Sequence, residues 1–207
     1  REVNTWGAYQ CYGDPDFRFL RSDSAPRNSA PNFGTPHELV AELENLAADL
    51  RITGGVDGSE RIARRLVRIP TPQAAKWLER GDVCSALGLT WGEAGNWAEA
   101  IGYLKKGLNA EKGECSMRAI EQCANYIIRL AADTWLKACR LPVAKREQVR
   151  SEQIEIIETA ILDLDTLCRR APTTERLNLL GGAYKRLALV EAEGKGRLEA
   201  LVNMAHH

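Results

Sequence analysis

The stretch that decides the fold is residues 81–114, which read GDVCSALGLTWGEAGNWAEAIGYLKKGLNAEKGE. It holds two apolar stripes at the 3–4 residue spacing of helices, separated by Gly95 and Asn96. The first stripe contains Cys84, Leu87, Gly88 and Trp91, and the second contains Trp97, Ala100, Ile101, Leu104 and Leu108. Gly88 and Ala100 are small enough for two helix axes to approach closely. The stretch therefore predicts two short helices packed on each other.

This pattern resembles a tetratricopeptide repeat, a helix–turn–helix unit of about 34 residues. The residues that carry the resemblance are Leu87-Gly88, Trp91, Gly95, Trp97, Ala100 and Leu104. The sequence departs from the family at Gly107 and Lys112, where alanine and proline are more usual. The resemblance implies an all-α fold, a right-handed helical stack or α–α superhelix, that serves as a protein-binding scaffold. It does not identify the partner.

Helical patterns extend on both sides of this unit, from Thr35 to the C-terminus. Thr35, with Pro36 and Glu38, has the composition of a helix N-cap, and further caps are predicted at Thr71-Pro72 and Thr174. Predicted helices follow these caps and also cover 59–69, 116–141 and 145–170, with a closing helix from Leu198. The predicted helices 116–141 and 145–170 together form an elongated repeat. About eight helices and one isolated strand are expected.

The isolated strand is predicted at Trp6–Tyr12, where side chains alternate before the turn Gly13-Asp14-Pro15. The segment NTWGAYQCYGDPDF resembles the C-terminal end of the CHAT domain, a caspase-like cysteine-peptidase relative of bacterial proteins that also carry tetratricopeptide repeats. We accordingly interpret residues 1–20 as the remnant of a CHAT-type domain in a fragment of a longer protein. Residues 21–34, rich in Ser, Pro and Asn, are interpreted as a linker, and residues 35–207 as the tetratricopeptide-like domain.

Charge and composition argue against several classes of partner. Lys and Arg number 28 and Asp and Glu number 28, so the formal net charge is zero. Arg61, Arg64, Arg65 and Arg68 cluster on one predicted helix, but no aromatic platform accompanies them. No apolar run approaches the roughly 20 residues of a membrane helix. We expect no nucleic-acid partner, no membrane partner and a cytoplasmic protein with reduced cysteines.

No catalytic constellation is evident. The three histidines are His37 and two at the C-terminus, so no base stands ready beside a Cys or Ser nucleophile. The six cysteines form no C-x-x-C pair, and no Gly-rich phosphate loop is present. We therefore expect this fragment not to be an enzyme and to hold no cofactor and no metal.

A ligand site is predicted instead on the concave surface, which in tetratricopeptide proteins is lined by the first helix of each repeat. Carried over residue by residue, the lining set is Asp82, Ser85, Leu89 and Glu93, then Arg118, Glu121, Asn125 and Arg129, then Glu175, Asn178, Lys185 and Arg186. The candidate peptide-binding residues within it are Asn125, Arg129, Asn178, Lys185 and Arg186. Together they would form a net-basic patch for an extended peptide, such as an acidic stretch or a carboxylate. The alternative is an ordinary solvated helix face.

The function expected from these features is a protein–protein interaction scaffold or recruitment module of a larger bacterial CHAT-type, peptidase-like protein. Two alternatives stay open. The helices could form a regulatory arm that controls an upstream caspase-like domain as an intramolecular partner, or a self-association module that makes a homodimer.

Overall fold

The computed structural model describes residues 32–111, 114–191 and 195–207. These residues form nine helices: α1 (Pro36–Thr53), α2 (Gly58–Leu66), α3 (Thr71–Trp77), α4 (Gly81–Glu93), α5 (Trp97–Leu108), α6 (Met117–Ala138), α7 (Val143–Arg170), α8 (Thr174–Val190) and α9 (Lys195–His206). The chain divides into the units Arg1–Pro31 and Asn32–His207, and every described residue belongs to the second. The predicted strand, the predicted CHAT-type remnant and most of the predicted linker lie outside the described residues.

Consecutive helices pack as hairpins, α4 with α5, α6 with α7 and α8 with α9. Neighbouring hairpins stack through α5 on α6, α7 on α8 and α6 on α8, and α1 packs along α4 at the start of the stack. The prediction of an all-α fold built from helical hairpins is confirmed. None of the described helices has the length and apolar character that crossing a membrane requires.

The α4–α5 hairpin closes where the sequence predicts it. A Cβ added to Gly88 would lie 2.5 Å from Leu104 Cγ and 3.0 Å from the Ala100 carbonyl oxygen, so the two helices meet at van der Waals distance there. Gly95, with φ of 77°, occupies the left-handed conformation that the turn between them needs. Small residues at the crossing thus set how closely α4 and α5 pack.

Three groups of buried residues form the core. One lies between α1 and α4 and includes Leu39, Leu43 and Leu87; a smaller one joins α5 to α6. The largest joins α6, α7, α8 and α9 around Ile128 and Leu164. Because each group spans neighbouring hairpins, the stack is held together by contacts between repeats as well as within them.

Phe33 is anchored on the helical unit although it falls at the end of the predicted linker. Its ring is 2% exposed and lies under the Arg68 guanidinium, 4.2 Å from the ring centroid. Its N–H donates to the Arg68 carbonyl oxygen at 3.0 Å, and the next N–H, of Gly34, donates to Glu38 Oε2 at 2.8 Å. Phe33 is a single aromatic residue among Ser, Pro and Asn and belongs to no periodic apolar pattern. The sequence therefore did not predict this contact.

Of the predicted helix caps, one is confirmed and two are displaced by one residue. Thr35 Oγ1 accepts the Glu38 N–H at 3.2 Å, as expected of an N-cap. The cap of α3 is Pro70, with no side-chain bond, and Thr71 is the first helical residue. The cap of α8 is Thr173, whose Oγ1 accepts the Arg176 N–H at 3.2 Å, so the prediction of Thr174 was wrong. Thr173 has the extended backbone that a cap requires, and adjacent threonines look alike in sequence.

Candidate functional site

The first helices of the three hairpins, α4, α6 and α8, lie next to one another, since α6 contacts both of the others. We call the surface that they share the first-helix face. It is the surface on which the sequence places the candidate peptide-binding residues. It has two halves, one between α4 and α6 and one between α6 and α8.

The half between α4 and α6 is filled by an aromatic ring. The Tyr126 ring lies so close to Gly92 that any side chain at position 92 would overlap it. Burial, and then the nearby Glu93 carboxylate, raise the pKa of Tyr126 to about 12. Glu93 itself forms an ion pair with Arg51 of α1, with Arg51 Nη2 at 2.8 Å from Glu93 Oε1. The Glu93 carboxylate is therefore compensated within the fold by Arg51.

The half between α6 and α8 holds two half-buried arginines, Arg129 on α6 and Arg186 on α8. Burial of the guanidinium, and secondly the charge of Arg129, lower the pKa of Arg186. Among the described residues no carboxylate lies within 4 Å of either arginine. The nearest acidic position along α6 is Asp133, one turn after Arg129, and its Oδ2 lies 2.6 Å from Lys137 Nζ. This half is electropositive.

Each of these arginines is oriented by its own helix. Arg186 folds back along α8, and its Nη1 donates to the Gly182 carbonyl oxygen at 2.9 Å. A Cβ at Gly182 would lie 3.2 Å from that nitrogen, so the missing side chain makes room for the guanidinium. Arg129 Nε donates to Asn125 Oδ1 at 3.4 Å, and Asn125 Nδ2 donates to Gln122 Oε1 at 2.8 Å. The polar groups of this half are therefore arranged before any ligand arrives.

Beneath this half, a buried ion pair joins α6 to α8. Arg176 Nε donates to Glu121 Oε1 at 2.6 Å, and Arg176 Nη1 also donates to the carbonyl oxygens of Leu167 and Ala171 at the end of α7. Glu121 and Ser85, which the sequence assigns to the groove lining, are 7% and 5% exposed and bonded internally. Neither can contact a ligand without first giving up its partner.

The five candidate peptide-binding residues are only partly brought together. Asn125, Arg129 and Arg186 lie at the α6–α8 junction. Asn178 and Lys185 are exposed on α8, and neither has a hydrogen bond or ion pair to another described residue. Seven residues apart, they share a helix face that is turned about 100° from Arg186. Sequence reasoning placed these residues on α6 and α8 but treated two faces of α8 as one.

The four arginines of the cluster predicted at 59–69 are all ion-paired within the fold, two of them to the same carboxylate, Glu42. Arg61 Nη2 lies 3.1 Å from Asp49 Oδ2, and Arg65 Nε lies 3.2 Å from Glu42 Oε1. Arg64 pairs with Glu60, and Arg68 is 3.8 Å from Glu42 Oε1. Across 32–111, 114–191 and 195–207, no three His, Cys, Asp or Glu side chains are grouped as a metal site would require. Among the half-buried arginines that the structure describes, Arg129 and Arg186 of the first-helix face have no carboxylate within 4 Å.

Comparison with family models places residues 96–207, more than half of the chain, in the family described as Tetratricopeptide Repeats-Sensor. The chain belongs to the tetratricopeptide repeats-sensor family. The tetratricopeptide-like fold predicted from residues 81–114 is thus confirmed. Domains built from such repeats are in general protein-interaction modules and are typically non-catalytic. No curated protein and no solved structure matches the chain significantly.

The matched region of this tetratricopeptide repeats-sensor protein begins at Asn96, just before α5, and continues through α9. It therefore contains Arg129 and Arg186, whereas α1 and α4 lie outside it. Sequence reasoning missed the Tyr126–Gly92 contact and the role of Gly182. The role of Gly182 had a signal in the sequence: Gly181 and Gly182 stand inside an apolar helix pattern. Glycine is unfavourable in a helix interior, so two of them there indicate that space is needed.

Proposed function

We propose that this chain binds an extended segment of a protein partner on the first-helix face, as the recruitment module of a larger bacterial CHAT-type, peptidase-like protein. The observation that carries the proposal is the α6–α8 half of that face, where the side chains of Arg129 and Arg186 are held by hydrogen bonds within their own helices and no carboxylate of residues 32–111, 114–191 and 195–207 pairs with them. Fixed polar groups on rigid helices suit recognition of a peptide because little ordering is left for the binding step.

The parent protein and its location are inferred from sequence. The segment NTWGAYQCYGDPDF supports a CHAT-type domain upstream of the helices. A cytoplasmic location is supported by the five described cysteines, all of which are free thiols. If the partner were the upstream domain itself, the same face would serve a regulatory arm. Cleavage of a test substrate by the full-length protein, abolished by substitution of its own upstream cysteine, would distinguish that case.

A second candidate, self-association, is favoured by apolar side chains exposed at the C-terminal end of the stack. Leu198 is 63% exposed and Leu189 is 55% exposed, and Val202 is also exposed. Sedimentation of the chain over a range of concentrations would reveal a dimer, and the substitution Leu198→Glu should dissociate it into monomers. A sedimentation coefficient that does not depend on concentration would remove this candidate.

The experiment that tests peptide binding is selection from a randomised displayed peptide library on the full 1–207 chain. The comparison variant is Arg129→Glu/Lys185→Glu/Arg186→Glu, and the matched control reverses three exposed charges elsewhere, Arg169→Glu/Arg170→Glu/Lys195→Glu. Circular dichroism melts establish that both remain folded.

Peptides retained by the wild type and the control but lost by the first variant support the proposal. Peptides that bind all three proteins equally show that another surface is used. A selection that yields no peptide on the wild type contradicts peptide binding.

A further inference from the structure

We propose that the outer side of the α8–α9 hairpin docks against the same side of a second copy of this chain. We call this side the end face; it contains Asn178, Lys185 and Leu189 of α8 and Leu201 of α9. The inference rests on the self-association candidate named above and gives it a surface, an orientation and a register. It does not depend on peptide binding at the first-helix face. Three observations carry it: the burial of the equivalent positions in the preceding hairpin, the polarity of the face, and its self-complementary pattern.

The positions of the end face can be compared with those of the preceding hairpin through buried small residues. The eighth residue of each first helix is buried and small, namely Gly88 in α4, Ala124 in α6 and Gly181 in α8. In the second helices the buried alanines are Ala100, Ala160 and Ala200. Counted from these residues, Asn178, Lys185, Leu189 and Leu201 are equivalent to Glu121, Ile128, Ala132 and Ile161.

In the long hairpin the equivalent positions are buried, and the hairpin that follows takes part in their burial. Glu121, Ile128, Ala132 and Ile161 are 7%, 1%, 8% and 5% exposed, respectively. Glu121 accepts the hydrogen bond from Arg176 of α8, and the other three belong to the core group that joins α6, α7, α8 and α9. This side of a hairpin therefore packs against the hairpin that follows it.

On the last hairpin that the structure describes, the same positions are open to water. Leu189 is 55% exposed and Leu201 is 39% exposed, and Asn178 and Lys185 are also exposed. Leu198, at the edge of the face three residues before Leu201, is 63% exposed. Within residues 32–111, 114–191 and 195–207, no further helix packs on this side. Because burial of apolar surface is favourable, three exposed leucines on one hairpin favour a partner there.

The polarity of the end face favours a separate molecule over another tightly packed repeat. Lys185 stands at the position of Ile128, which is 1% exposed, and of Gly92, which lies against the Tyr126 ring. A lysine buried there in a permanent stack would have to give up its hydration. Interfaces between molecules that dissociate keep polar groups at a hydrated rim, where a lysine is tolerated.

The size of the face sets the strength of the contact. α8 has 17 residues and is about 25 Å long, and two helices side by side are about 20 Å wide, so the face covers on the order of 500 Å². This is less than the roughly 800 Å² per partner of a standard interface. We therefore expect a reversible dimer with a dissociation constant in the micromolar range.

The two polar residues of the face are arranged so that two copies satisfy each other. Asn178 and Lys185 are seven residues apart, about two turns of helix, and so lie on nearly one line along α8. Neither is paired with another described residue. When a second copy approaches with its α8 antiparallel, about a two-fold axis between these positions, Asn178 meets Lys185 of the second copy and the reverse pair also forms. Each ammonium group then donates to an amide oxygen, and the α9 helices of the two copies are brought face to face.

The test of the surface is sedimentation velocity of the full 1–207 chain from about 1 µM to about 500 µM, a range around the expected constant. We expect a monomer–dimer equilibrium. Leu189→Asp and Leu201→Asp should each weaken the dimer at least about tenfold, since each places a carboxylate from both copies in the contact. The matched control is Leu162→Asp on α7, where Leu162 is 66% exposed and outside the end face, and it should dimerise as the wild type does. Circular dichroism melts establish that all three variants are folded.

A charge series tests the antiparallel register. Asn178→Lys places two lysines opposite each other in each half of the contact and should weaken the dimer at least about tenfold. The double substitution Asn178→Lys/Lys185→Glu replaces this repulsion with two ion pairs between the copies and should restore dimerisation to at least the wild-type level. Because positions 178 and 185 are about 10 Å apart within one copy, the recovery cannot come from an internal pair. The control Asn45→Lys, at an exposed position of α1, should leave the dimer unchanged.

Four outcomes overturn the inference, each in a different way. A chain that stays monomeric at every concentration removes both the end face and the self-association candidate, and it leaves peptide binding standing. A dimer that Leu189→Asp and Leu201→Asp do not weaken keeps self-association but contradicts the end face. A double substitution that fails to recover the dimer contradicts the antiparallel contact. Assemblies that grow beyond a dimer with concentration indicate head-to-tail stacking and contradict a two-fold pair.

Discussion

Arg176 in α8 donates from its Nε to Glu121 Oε1 in α6 at 2.6 Å, with 10% and 9% of the two side chains exposed. The residues are 55 positions apart in sequence. The same guanidinium also holds the Ala171 carbonyl oxygen at the end of α7. One buried cation thus joins three helices of two successive hairpins.

Removing the anion of this pair should be strongly destabilising. Glu121→Ala leaves the Arg176 cation buried without a counter-charge, and we expect a loss of about 3–5 kcal/mol in the free energy of unfolding by urea. The double substitution Glu121→Leu/Arg176→Met should recover most of the loss, since no charge is then left behind. As a control, Asp165→Ala removes the partner of Arg169, whose side chain is 79% exposed, and should cost less than about 1 kcal/mol. Equal losses for Glu121→Ala and Asp165→Ala would mean that burial of the pair has no energetic weight.

Two glycines on facing helices should respond in opposite directions to alanine. At Gly88 the new methyl would meet Leu104 Cγ at 2.5 Å and the Ala100 backbone oxygen at 3.0 Å, so Gly88→Ala should destabilise by about 1–3 kcal/mol. At Gly102 nothing lies within 4 Å, so Gly102→Ala should stabilise by up to about 1 kcal/mol through helix propensity alone. Thermal melts of the two variants check this. A gain at both positions would show that α4 and α5 are not in close contact.

The two threonines before α8 provide a test of the cap assignment. Thr173→Ala removes the acceptor of the Arg176 N–H and should cost about 1 kcal/mol. Thr174→Ala removes a side chain from the first helical residue and should change the stability by much less. Urea unfolding of both variants decides between the positions. The reverse order of effects would place the cap one residue later, where the sequence alone placed it.

Tyr126 should make the protein sensitive to alkali. Its pKa is raised to about 12, above the ordinary value of a tyrosine, because burial disfavours the phenolate. Between the two pKa values the unfolded chain loses the proton while the folded chain keeps it, so stability is full below about pH 10 and falls as the pH rises toward 12. The total loss from this residue should be about 3 kcal/mol.

The matched variant for this effect is Tyr126→Phe, which keeps the ring against Gly92 and removes the titrating group. Its stability should fall less steeply over the same pH range, measured by denaturant unfolding at each pH. The buried thiols of Cys84 and Cys123, whose pKa values burial also raises, are present in both proteins and cancel in the comparison. Parallel curves for the two proteins would show that the Tyr126 hydroxyl is solvated.

The helices and the close contact of α4 with α5 could be predicted from sequence because both depend on local pattern. Apolar spacing located α4 to α8, and small residues at Gly88 and Ala100 marked the contact of α4 with α5. The Glu121–Arg176 pair could not be predicted, because it depends on how far α8 is rotated and shifted against α6. Periodicity assigns a residue to a helix face but carries no information about which residue of another helix it meets.

The candidate site shows the same division. The helices that carry it followed from the repeat pattern, and Arg129 and Arg186 were among the residues that the sequence selected. Their orientation could not be predicted, because it depends on side-chain direction: Arg186 bends back over Gly182, whereas its neighbour Lys185 is exposed on another face of α8. A difference of one position on a helix changes direction by about 100°, which a residue-by-residue transfer between repeats does not resolve.

The unequal lengths of the hairpins have a mechanical consequence. α6 and α7 contain 22 and 28 residues, against 13 and 12 in α4 and α5. At about 1.5 Å per residue, α7 is about twice as long as either helix of the shorter hairpin. Cys139 has an exposed thiol and directly follows α6. It lies about 15 Å from Arg129 along the axis of that helix. A tilt of α6 by a few degrees would move its C-terminal end by a distance that grows with the length of the helix, and a fluorescent label on the exposed Cys139 thiol would record that displacement.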